Sequence, residues 1–138
     1  ATAAEPEPWC IAEVLAHLLA LEKLWTGRLD LILARNSAPL GAADAGAIAN
    51  QTRAGRLAPV PQIIHGLLAA RRDLERAVDA AAALPDGFER RGIDSEGVNL
   101  TVAAMLRTCS DAENEHAARI EALREAVGAK PVAEAAGR

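Results

Sequence analysis

The sequence predicts an all-helical bundle, and three observations point there. Aromatic residues make up 2% of the chain, tyrosine is absent, and roughly a quarter of all residues are alanine. Strands favour aromatic and β-branched side chains, whereas helices favour alanine. Apolar residues also recur at three- and four-residue intervals over long segments, which is the helical period. At 138 residues, 51% hydrophobic and 25% charged, the chain suits one domain with its own core. We therefore expect a single helical domain over 1–138, with an extended stretch at 1–8 and a frayed tail at 131–138.

Pro6 and Pro8 imply an extended entry, and the first helix is predicted from Cys10 or Ile11 to about Arg35. Its apolar row is Ile11, Val14, Leu15, Leu18, Leu21, Trp25, Leu29 and Ile32, widened by His17, Leu24 and Leu31. A sector this broad needs more than one neighbour. Residues 36–58 read as a long Gly- and Ala-rich connection with a short helix at 42–53. A connection of that length lets successive helices run parallel. The second long helix is predicted from Pro59 or Val60 to Leu84, where Pro85-Asp86-Gly87 stops it. Its inward residues are Val60, Ile63, Ile64, Leu67, Leu74, Val78 and Ala81. Residues 85–99 read as a polar loop, and no segment reads as a strand. Asn99 or Thr101 is expected to cap a third long helix that ends near Val127.

Charge and motif inventory exclude several classes. Fifteen Lys and Arg against nineteen Asp and Glu give a net charge of −4, with no basic stripe to follow a phosphate backbone. Nucleic acid is not an expected partner. No run approaches the length of a membrane span, and Ala1 to Pro8 lack the basic start of a signal peptide. Cys10 and Cys109 form no CxxC pair, so reduced thiols in a cytoplasmic protein are the expectation.

Polar residues inside apolar stripes carry the functional argument. On the third long helix Glu113 and His116 fall within the stripe of Val102, Met105, Leu106, Cys109, Ala112, Ile120, Leu123 and Val127. Glu22 lies within the first helix's stripe, with His17 beside it, and Arg71 falls between Leu67, Leu74 and Val78. An unpaired buried charge costs several kcal/mol, so Glu22, Arg71, Glu113 and His116 are expected to form one buried network. One reading is a structural network that fixes helix register. The other is a pocket for a divalent metal or a proton-transfer pair, since Glu113 and His116 share a face at i,i+3. His65 projects away from its helix's apolar side and reads as a surface histidine. Cys109 reads as a small core residue, and Cys10 sits at a helix cap, where a lowered thiol pKa is one option.

The segment Trp9-Cys10-Ile11-Ala12-Glu13-Val14-Leu15-Ala16-His17-Leu18, followed by Glu22 and Trp25, resembles the second helix of the DinB-like superfamily. Thr101 to Leu106, followed by Asp111 to Ile120, resembles its last helix, and the likeness covers most of residues 9–125. The resemblance implies an up-down-down-up four-helix bundle, often a homodimer, with a zinc or nickel ion held by three histidines. It also implies, for some members, thiol-dependent transfer chemistry. Carried over, the ligands are His17 and His116, but the position of the third is Ala112, which has no donor atom. Glu113 or His65 would have to replace it, or the metal is absent. Only Ala1 to Pro8 precede Trp9, so the family's first helix is expected to be missing or abbreviated, its place filled by 42–53 or by another subunit. Two functions follow as expectations. The first is a protein with a degenerate divalent-metal site, of thiol-dependent transferase or hydrolase type, able to take a small-molecule ligand. The alternative is a non-enzymatic helical module for self-association or partner binding.

Overall fold

The computed structural model describes residues 9–128, so the expectations for 1–8 and 131–138 lie outside the described residues. Within it are four helices: α1 (Ile11–Ala34), α2 (Ala45–Ala54), α3 (Val60–Ala82) and α4 (Val102–Ala126). The three long helices match the sequence periodicity closely. Cys10 caps α1, its backbone N–H donating to the Glu13 carboxylate at 3.1 Å, as a capping box requires. Thr101 caps α4, its hydroxyl oxygen accepting the Ala104 N–H at 3.1 Å.

The helices meet in register. Trp25, Leu29 and Ile32 of α1 share a core cluster with Leu74, Ala77 and Ala81 of α3 and Val102, Met105 and Cys109 of α4. At the other end of α3, Gly66 lies against Leu19, so sequence number rises together along α1 and α3 and they run parallel. Along α4 the order reverses, with Glu113 at the level of Glu22 and His116 at that of His17. Burying one leucine to the degree of Leu29 (1% exposed) contributes about 2–3 kcal/mol. The core therefore sits where α1 and α3 end and α4 begins.

Three short strands correct the prediction that no strand occurs. Strand β1 (Ala38–Gly41) pairs in parallel with β2 (Arg91–Asp94), which pairs antiparallel with β3 (Asn99–Thr101). The predicted loop at 85–99 thus holds a 3-10 turn (Gly87–Glu89), the central strand β2 and the first residue of β3. The sheet ties the end of α1 to the start of α4. Ser37 N–H donates to Arg91 O at 2.8 Å, Val102 N–H to Arg90 O at 2.9 Å, and the Arg90 guanidinium to Leu33 O at 2.8 Å. Gly87 is required at the turn after α3, because a Cβ there would lie 1.8 Å from the Ala81 carbonyl oxygen.

Helix α2 and the following 3-10 turn (Gly55–Leu57) lie along the N-terminal half of α1. The approach is close at Gly55, where a Cβ would meet Ala16 Cβ at 2.5 Å. Residues 42–53 thus supply one of the neighbours that the broad apolar sector of α1 demands. Two inward assignments on α3 are corrected: Val60 and Ile64 are exposed. They lie roughly a quarter-turn around α3 from the buried Ile63–Ala70–Leu74 line. Leu31 on α1 and Val127 after α4 are exposed as well.

Candidate functional site

Where α1 and α4 face each other beyond the core, the imidazoles of His17 and His116 stack, with ring centroids 5.3 Å apart and planes 13° from parallel. Trp9 packs on His17 at 4.7 Å, and the Arg119 guanidinium lies 4.7 Å above the Trp9 ring. These groups, with Leu21, Ala112 and Glu115, wall a cleft of about 270 Å³. The front of α1 and the back half of α4 supply it, because the two helices run antiparallel.

Each ring is held by its Nδ1. Thr52 on α2 is buried, and its hydroxyl donates to the Ile48 carbonyl at 2.8 Å. With that proton committed, its oxygen accepts from His17 Nδ1 at 3.1 Å. His116 Nδ1 lies 2.6 Å from the Ala112 carbonyl oxygen, which can only accept. Both rings therefore carry the proton on Nδ1, and in the neutral ring the lone pair sits on Nε2. Burial holds the His17 pKa below the usual histidine range, and the neighbouring His116 and Arg119 act in the same direction. A hydrogen bond that fixes the tautomer and leaves the other nitrogen bare is the usual support of a metal-ligating histidine.

The carboxylate expected beside them is engaged elsewhere. Arg71 Nη2 donates to Glu22 Oε1 at 2.6 Å and also to Glu113 Oε1, joining α1, α3 and α4. Glu22 is 1% exposed, whereas the Arg71 side chain is 41% and that of Glu113 29% exposed. The cluster is thus buried on one side only. His116 makes no hydrogen bond to it, which corrects its assignment to that network: the Ala112 carbonyl takes its Nδ1. Burial pushes the Glu113 carboxyl up; Arg71 opposes the shift and Glu22 adds to it. Burial, helped by Glu113 and Glu22, raises the Cys109 thiol to about 12, so it stays protonated and is no nucleophile.

Ala112 lines the cleft without a donor atom, and Glu113, the expected third ligand, has its Oε1 engaged by Arg71. His65 is exposed and lines a separate groove between α1 and α3. Among the described residues, no group of three or more His, Cys, Asp or Glu side chains is placed to hold a metal ion. Cys10 is half-buried at the cap of α1 and stands outside the cleft's walls.

Thr52, Trp9 and Arg119 are parts of the site that the sequence reading did not assign to it. Thr52 had one available signal, its place one turn after Ile48 on the inward side of a short helix. Compared with protein-family models, with curated proteins and with solved structures, the chain matches none. No helix among the described residues is long and apolar enough to cross a membrane.

Proposed function

We propose that this chain is a DinB-like helical-bundle protein with a degenerate divalent-cation site, in which His17 and His116 supply two of the three donors. The observation that supports it is the pair of stacked imidazoles, each with Nδ1 engaged and Nε2 bare. The residues present supply two of the three protein ligands that a catalytic zinc centre takes. A zinc or nickel ion bound there would act as a Lewis acid on a small-molecule ligand such as a thiol. The chain's own groups hold and orient the two imidazoles and line the cleft with Trp9, Leu21 and Arg119.

The experiment is a zinc titration against a chromophoric chelator, with His116→Ala as the control. We expect sub-stoichiometric metal after purification, weak zinc uptake by the wild type, and no measurable uptake by His116→Ala. Equal uptake by both proteins would overturn the assignment.

The alternative is a module that has lost its metal, and the engagement of Glu113 by Arg71 favours it. In that reading the Glu22–Arg71–Glu113 cluster sets the register of three helices, and the protein works through association. The assembly we propose in either case is a homodimer. Val60, Ile64 and Leu68 follow one another at four-residue spacing on α3 and are 38%, 44% and 54% exposed, with Leu57 beyond them at 90%. A ridge of this kind on α3 suits two-fold self-association. Sedimentation should give twice the 14.4 kDa chain mass at micromolar concentration, and Ile64→Glu/Leu68→Glu should return the monomer. A wild-type monomer contradicts the dimer.

A further inference from the structure

A second concavity lies on a different face of α1 from the imidazole cleft. It is a groove of about 590 Å³ between α2 with its 3-10 turn on one side and α3 on the other. That volume falls within the range of small-molecule sites. Ala16 and Leu19 of α1 form its floor, and Ala54, Gly55, Ala58 and Ile63 form much of its walls. Because these side chains are short, the groove runs along α1 from Ala16 to Lys23, a rise of about 10 Å at 1.5 Å per residue.

Its charge pattern is unlike that of the chain. The protein carries a net charge of −4, yet among the described residues no carboxylate lines this groove. The ionisable groups that do are Lys23 and His65, both basic and both exposed at its edge, and Gln51 and Gln62 add amide donors. Among the described residues no carboxylate forms an ion pair with Lys23. An apolar trough with a cationic rim complements a ligand with an alkyl body and an anionic head. The apolar area is then buried by the body, while the head gains a charge-assisted hydrogen bond.

We propose that this groove binds an amphipathic monocarboxylate, its alkyl chain along Ala16, Leu19 and Ile63 and its carboxylate at Lys23. The site is independent of the two histidines. Octanoate, octanol and octyltrimethylammonium test it, each titrated calorimetrically into the full chain below its micelle concentration. Octanoate should bind, with octanol weaker and the quaternary amine weakest. Lys23→Glu, a change at an exposed position, should weaken octanoate by about tenfold, in line with loss of a charge-assisted contact. Ala54→Trp should abolish binding of octanoate and octanol alike by filling the groove, with circular dichroism reporting that both variants are folded. The proposal is overturned if octanoate does not bind, or if the three probes bind equally. It also fails if neither variant changes octanoate affinity.

Discussion

Replacing Arg71 with Met is expected to lower the unfolding free energy by about 2–4 kcal/mol at pH 7. The guanidinium is the one cation between Glu22 and Glu113 in this contact. Without it, two carboxylates face each other across α1 and α4, one of them 1% exposed. The figure sits below that for a fully buried pair because the Arg71 side chain is 41% exposed and partly screened. The loss should depend on pH. The Glu113 carboxyl is raised above its ordinary 4.5 in the fold, so its contribution is fully present below about pH 4.5 and is lost as pH rises through the folded value. Arg71 is the influence that opposes this rise, so its removal carries the folded value higher still. Urea midpoints of Arg71→Met should therefore fall more steeply than wild type between about pH 5 and 8 and approach it near pH 4. Parallel curves would mean that the cluster is solvated and holds nothing.

Replacing Ala112 with His is expected to tighten zinc binding on the order of 100-fold, about 2.7 kcal/mol. Position 112 lies one turn before His116 on α4, so the two side chains share a face. Ala112 already lines the cleft beside both imidazoles. The substitution keeps the backbone carbonyl that fixes His116 Nδ1, so it adds a donor without releasing the existing ones. A competition titration with a chelator reads the change, and the zinc should also raise the thermal midpoint of this variant more than that of wild type. No gain in affinity would show that position 112 does not reach an ion held by His17 and His116.

The long helices were legible because 24, 23 and 25 residues give many turns over which periodicity accumulates. The sheet was not, because its strands have three or four residues with the sequences APLG, RGID and NLT. Alternation cannot be recognised in so few positions, and the pairing is set by contacts such as Ser37 with Arg91, distant in sequence. The polar contacts divide along the same line. Helical projection places Glu22, Arg71 and Glu113 toward a common interior, since each angle is a property of its own helix. It cannot tell which carboxylate Arg71 takes, nor that His116 turns to the Ala112 carbonyl. The Thr52 to His17 bond spans 35 residues and depends on how α2 lies on α1. That docking is governed by close approach at Gly55, which no local pattern encodes.

In the proposed site His17 and His116 each hold Nδ1 in a hydrogen bond and offer Nε2 to a cation. A long-range proton–nitrogen correlation spectrum of nitrogen-15-labelled protein near pH 7.5, recorded before and after zinc, tests this most directly. We expect His17 and His116 both to show the Nδ1–H tautomer without metal. Zinc should then shift the Nε2 resonances of these two residues and leave His65 in place. An Nε2–H tautomer at either ring, or zinc shifts confined to His65, would contradict the two-histidine site.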